Sequence, residues 1–246
     1  MAKILVGSVF SGTASNADNA RWYSLQLAML RVSSPGHQID HAVSLSQGQV
    51  PDPFGRSRVV FSGEKPAGPS SLNHATHLHY LLDYFKQRRD DYDFFLFLDS
   101  DAFPYQPKWL AKTVAAMGSH TVAAVVRVED LVWFPHPCAC LVKPAGLDVL
   151  NWLPVWAEGG IDGLMLYDPG VAMREMSFYP LIRTNRVNVH PLLCGIYGRA
   201  FYHHGAASRP GRSYRGAALY EIPALTDKWQ ATLFRDPRKF FNSLDW

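Results

Sequence analysis

The chain is poor in cysteine and has no long apolar run, and each absence narrows what it can be. Cys138, Cys140 and Cys194 are its three cysteines in 246 residues. They form no C-x-x-C pair, so neither a disulfide framework nor a cysteine zinc site is indicated, and reducing surroundings are expected. The N-terminal MAKILVGSVFSG carries one lysine and a short apolar stretch, well below the ~20 residues that cross a bilayer and without the long apolar region of a signal peptide. No other segment approaches a membrane span. The expectation is a cytoplasmic protein whose contact with membranes, if any, is at its surface. Internal repeats, low-complexity tracts and a Gly/Ser linker are also missing, which favours a single domain over residues 1–246.

Acidic residues are missing from one interval. Between Glu175 and Glu221 there is no Asp or Glu, while Arg183, Arg186, Arg199, Arg209, Arg212 and Arg215 all fall there. Such a local basic field suits phosphate or another anion, because guanidinium binds oxyanions bidentately. The same run also reads as a solvated basic face. Over the whole chain the net charge of +3 is too mild to require a nucleic-acid partner, and none is expected.

Aromatic residues are plentiful, and their spread argues for a packed fold rather than disorder. Residues 3–10 read as a buried strand. A helix follows, capped by Asn16 or Asp18, with Trp22, Leu25, Leu27, Met29 and Leu30 on its apolar face and Ser34-Pro35-Gly36 as its stop. Strands are expected at 39–45 and 58–61. Ser71 caps a second helix whose Leu72, Ala75, Leu78, Leu81, Leu82 and Phe85 recur at helical spacing. YDFFLFL, residues 92–98, is apolar on both faces and therefore a central strand. A helix at 108–117 and a strand at 121–127 complete an alternation that predicts an α/β fold, a three-layer α/β/α sandwich with a mixed, mainly parallel central sheet. Beyond residue 128 the pattern weakens, with a strand expected at 137–142 and a short helix at 144–151.

The central strand ends in Asp99-Ser100-Asp101. In open α/β sheets ligands bind at the carboxyl ends of strands. Two carboxylates one residue apart can hold a divalent cation that bridges diphosphate oxygens, and hard oxygen donors favour Mn2+ or Mg2+. Solvated turn aspartates are the simpler reading.

DYDFFLFLDSDAFP resembles the D-x-D stretch of GT-A fold glycosyltransferases of the family 2 type. The resemblance implies a GT-A-like fold, with 1–127 as the nucleotide-sugar donor half and 128–246 as the acceptor half. It implies a metal held by Asp99 and Asp101, Asp101 being the stronger ligand, with Ser100 between them at the donor. Ser71, Asn73, His74 and His77 fall where the family contacts the nucleotide. FYHHGAASR resembles the late strand-end histidine of these enzymes, which implies His203 as the best-aligned metal ligand and Arg209 as a grip on the diphosphate; if the strand continues His204 points the opposite way, so one of the two histidines binds, and both also read as polar strand-end residues. AEGGIDGLMLYDPG resembles the acidic acceptor-side segment of inverting members, which makes Asp162 the base for the acceptor hydroxyl. Asp162 reads equally well as the cap of a helix at 163–167. Trp133, Trp152 and Trp156 could stack on a sugar acceptor or belong to the core. The implied partners are a UDP- or GDP-linked sugar and a glycan or small-molecule acceptor.

Three other readings compete. A haloacid-dehalogenase-like phosphatase carries its D-x-D on the first strand followed by Thr or Val, whereas Ala102-Phe103 follows here. A nucleotide-sugar pyrophosphorylase needs a glycine-rich N-terminal signature that is absent. A non-catalytic sugar-binding module has no need of an acidic pair beside a basic field.

Overall fold

Strand β1 (Lys3–Ser11) is apolar on both faces, so it belongs inside a sheet rather than at its edge. In the computed structural model it lies between β2 (Gln38–Ser46) and β4 (Phe94–Asp99), parallel to both. The structure describes residues 1–11, 16–46, 57–63, 70–126, 135–150, 152–156, 162–166, 178–184, 195–204 and 230–242. Within them, β3 (Ser57–Gly63) extends the parallel set beyond β2. On the other side β7 (Pro135–Val142) runs antiparallel to both β4 and β6 (Val122–Val126), and β10 (Tyr179–Leu181) closes that edge parallel to β6. The seven-stranded order is β10-β6-β7-β4-β1-β2-β3, which places β4 at the centre. The expected mixed, mainly parallel α/β sheet is therefore present.

Alternation along β4 divides the core between two faces. Phe95 and Phe97 meet Leu78, Leu81, Leu82 and Phe85 of α2 (Ser70–Gln87). Leu96 and Leu98 face the opposite way, toward Leu30 of α1 (Asn16–Ser33) and Trp109, Leu110 and Met117 of α3 (Trp109–Met117). Helices on both faces give the three layers. A third apolar cluster joins Trp22 and Tyr23 of α1 to Tyr202, Phe240 and Phe241, the last two from a C-terminal helix, Pro237–Asn242. No helix among the described residues is long and apolar enough to cross a membrane.

Two small sheets complete the described fold. β5 (Ala102–Pro104), β12 (Phe201–His203) and β11 (Gly195–Tyr197) form an antiparallel set in the order β11-β12-β5. β8 (Trp152–Trp156) and β9 (Asp162–Leu166) form a two-stranded ladder.

The structure corrects several expectations. The helix expected at 163–167 is strand β9, so Asp162 opens a strand and caps no helix there. Its apolar run is too short to carry a period, and pairing with β8 decides its conformation. The second helix begins at Ser70, so Ser71 lies inside it. The helix expected at 144–151 is a 3-10 turn, Pro144–Asp148. Trp152 is fully buried with its ring edge-on to Phe97, which removes it from any acceptor surface. Cys138 and Cys140 are buried free thiols.

Candidate metal centre

Because β4 is buried on both faces, its carboxyl end is the first point at which the strand can present polar groups. Asp99 is its last residue, level with Val9 of β1. The chain then turns through Ser100 and Asp101 and leaves the large sheet as β5. β5 pairs antiparallel with β12 so that Ala102 stands opposite His203, and the His204 amide donates to the Asp101 carbonyl at 3.1 Å. A pairing between segments a hundred residues apart thus sets an imidazole beside the acidic turn.

His203 Nε2 lies 3.4 Å from Asp99 Oδ2 and 3.4 Å from Asp101 Oδ1. One potential ligand atom from each of Asp99, Asp101 and His203 falls within 4.8 Å of the others. His74, one turn into α2, lies with Nε2 3.4 Å from Asp99 Oδ1. Asp101 and His203 are buried, while Asp99 and His74 keep partial access to solvent. Two carboxylates and an imidazole form an O,O,N donor set that suits Mn2+ and also accommodates Mg2+. The donor chemistry therefore fits a divalent ion.

No family profile and no curated protein matches the chain. Among solved structures it is similar to the galactosyltransferase LgtC in complex with donor and acceptor sugar analogues, with 13% identity and a TM-score of 0.39 over 57% of this chain and 58% of that one. It is similar to a protein of Desulfovibrio desulfuricans G20 assigned as a nucleotide-diphospho-sugar transferase, with 12% identity and a TM-score of 0.42 over 74% of this chain and 80% of that one. It is also similar to a glycosyltransferase involved in glycosylation of the major capsid of PBCV-1, with 11% identity and a TM-score of 0.36 over 61% of this chain and 63% of that one. The match thus spans less than two thirds of the length of LgtC.

The electrostatics of the centre follow from its burial. Burial disfavours an imidazolium at His203, but Cys138 and the carboxylates of Asp101 and Asp99 outweigh it and hold its pKa well above the ordinary value. At Asp101 burial pushes the pKa up, and the charge and hydrogen bond of His203 bring it below the usual carboxylate value. At His74 burial prevails over the attraction of Asp99 and Asp101, and the pKa falls. His204, which follows the strand, turns away: its Nδ1 lies 2.7 Å from the Tyr202 hydroxyl and its ring packs on Trp22. His203 is thus the histidine that meets the acidic pair.

Asn73 and His77, also expected at the nucleotide, are placed differently. Asn73 is buried, and His77 is fully buried with Nδ1 2.7 Å from Ser44 Oγ, so His77 faces the core and offers no surface to a nucleotide. Asp162 opens β9 opposite Trp156. Arg209 and Trp133 lie outside the described residues. Of the basic field, Arg199 helps line a cleft of about 410 Å3 with Tyr105, Gln106, Lys112 and Thr184, none of which belongs to the acidic group. One neighbour was not anticipated: His136 of β7, whose ring centroid is 6.1 Å from that of His203 and whose Nδ1 accepts the Cys138 amide at 3.1 Å. A β7 expected only from residue 137 left it just outside the strand.

His77 has a consequence for acid stability. Burial, with a smaller contribution from His74, lowers its pKa from 6.5 to about 4. A depressed histidine stabilises the fold above its unfolded pKa, and that contribution is lost as pH falls from about 6.5 toward 4. A shift of this size corresponds to about 3 kcal/mol in full, of which about 2 kcal/mol is lost between pH 7 and pH 5. Urea unfolding of wild type and His77→Gln at both pH values measures this difference. The wild type is expected to lose more stability than the variant, and equal losses would show that His77 titrates normally.

Proposed function

We propose that the protein is a metal-dependent glycosyltransferase that moves a sugar from a nucleotide diphosphate donor to a hydroxyl acceptor. The observation that carries this reading is the joining of Asp99 and Asp101, at the carboxyl end of the central strand, to His203 from the end of β12. A divalent cation held there would neutralise diphosphate charge as the nucleotide leaves. Asp101 and His203, both buried, would fix its position, while the more accessible Asp99 and His74 would face the donor. Arg209 is proposed to bind the departing diphosphate from the basic segment after His203. Asp162 is proposed to take the proton of the acceptor hydroxyl in an inverting transfer. A UDP- or GDP-linked donor fits this scheme, and a glycan or small alcohol fits the acceptor. The position of the acidic pair on the fourth strand rather than the first weighs against the phosphatase reading.

A thermal-shift screen of nucleoside diphosphates and nucleotide sugars, with and without Mn2+, tests the proposal, because a ligand that binds only the folded state raises its melting temperature. Hits are followed by nucleoside diphosphate release, and the anomer of the product distinguishes inversion from retention. The expected result is a shift with one nucleotide that depends on the metal, accompanied by metal-dependent donor cleavage. Failure of every nucleotide to shift the melting temperature in the presence of Mn2+ would refute the reading.

A further inference from the structure

The acidic turn is held from behind by a polar residue that lies on the apolar stripe of α1. Gln26 is fully buried between Trp22 and Met29 on the inward face of the helix. Its Nε2 donates to the Asp99 carbonyl at 2.9 Å and to the Ala102 carbonyl at 2.7 Å. Those two carbonyls bracket Ser100 and Asp101, so one side-chain amide joins both ends of the turn. Its Oε1 accepts from Ser8 Oγ at 2.8 Å and lies 3.2 Å from His41 Nε2.

We propose that Gln26 is a positioning residue of the cation site, a buried amide that clamps the Asp99-Ser100-Asp101 turn and so fixes the spacing of its two carboxylates. The inference rests on the metal reading of that turn and adds the part of the structure that holds it in shape. Two carbonyl acceptors require the NH2 end of the amide to face the turn, since the opposite orientation would set oxygen against oxygen. The rest of the network agrees with that orientation. Tyr23 donates its hydroxyl to Ser57 Oγ, and Ser57 Oγ lies 3.0 Å from His41 Nδ1. If Ser57 donates to Nδ1, His41 carries its proton on Nε2 and can donate toward Gln26 Oε1, as Ser8 does. With that tautomer a run of donors from Tyr23 on α1, through β3 and β2, reaches Gln26 and the acidic turn, and Ser8 Oγ, also 3.2 Å from His41 Nε2, shares the same imidazole nitrogen. Gln26 reaches the ion only through the backbone, so its influence should appear in metal affinity before it appears in anything else.

The test is titration of the purified full chain with Mn2+ by calorimetry, with unfolding measured in parallel. Gln26→Met keeps the volume and removes both donors. It is expected to weaken Mn2+ binding at least ~10-fold, the usual lower range for residues that orient metal ligands. Leu30→Val, a buried change on the same helix, should lower the melting temperature and leave the affinity unchanged, which separates positioning from general destabilisation. Gln26→Asn keeps an amide one methylene short of spanning both carbonyls, and it decides the question if Gln26→Met does not fold. Again weaker binding is expected. Wild-type affinity in a folded Gln26 variant would overturn the inference while leaving the metal site intact. Failure of the wild-type chain to bind Mn2+ at all would overturn the metal reading and this inference with it.

Discussion

Asp101→Asn should reduce metal-dependent turnover by on the order of 10³-fold, equivalent to several kcal/mol of lost charge stabilisation. Of the two carboxylates, Asp101 is the more buried, and its position is fixed at both ends: its carbonyl accepts the His204 amide and its Oδ1 faces His203. An amide of the same shape keeps one oxygen for His203 but removes the negative charge that pairs with an ion, so the loss should fall on metal affinity and turnover together. The fold should lose some stability with the charge that pairs with His203, but Asp99 Oδ2 still lies 3.4 Å from the buried imidazole and keeps a partner for it, so the variant should remain folded. His203→Gln should cost less, since the two carboxylates remain. Calorimetric Mn2+ titration and initial rates of nucleoside diphosphate release measure both effects. Turnover near the wild-type rate in Asp101→Asn, at limiting Mn2+, would remove Asp101 from the site.

Local pattern was enough to locate this residue. A strand apolar on both faces has to be interior, and an interior parallel strand has a carboxyl end where ligands bind. Asp99 and Asp101 could therefore be placed from sequence, and the observed register of β1, β2 and β4 agrees. His203 is different. Its adjacency to the acidic pair depends on β5 pairing with β12 across a hundred residues, and no local period encodes such a contact. Only its likeness to a late strand-end histidine pointed to it.

Gln26 shows a signal that was present but incomplete. It falls four residues after Trp22 and three before Met29, on the face that helical spacing assigns to the core. A polar residue on such a stripe must find hydrogen-bond partners inside the protein. The sequence could raise that question but not answer it, because the partners lie on β1, β2 and the acidic turn. Asp162–Leu166 failed for the opposite reason. Its short apolar run satisfies helix and strand alike, and only the antiparallel ladder with Trp152–Trp156 distinguishes them.

Phe85→Ala should destabilise the fold by about 3–5 kcal/mol, a large part of the ~5–15 kcal/mol that holds a typical domain together. The ring is fully buried at the centre of the α2 face, with centroids 5.1 Å from Phe95 and 4.7 Å from Phe97. Its seat is made by Gly7 on β1, where a Cβ would come within 2.6 Å of Phe85 Cζ. Glycine inside a strand is otherwise unfavourable by roughly 0.5–1 kcal/mol relative to alanine, so the position is explained by the close approach of the ring. Gly7→Ala alone should therefore cost about 1–3 kcal/mol, as the ring and the strand are forced apart. In a Phe85→Ala background the methyl loses its two ring neighbours and of its three nearest atoms keeps only Leu81 Cδ2 at 3.2 Å, so the cost of Gly7→Ala should fall sharply. The two changes are thus expected to be non-additive by about 1–3 kcal/mol, in a cycle of urea unfolding curves for the wild type, both single variants and the double variant. Additive effects would mean that the ring and the strand are not in contact as described. Because β1 also lines β4 up to Asp99, a displaced β1 in Gly7→Ala should weaken Mn2+ binding, and that weakening should be relieved in the double variant along with the stability loss.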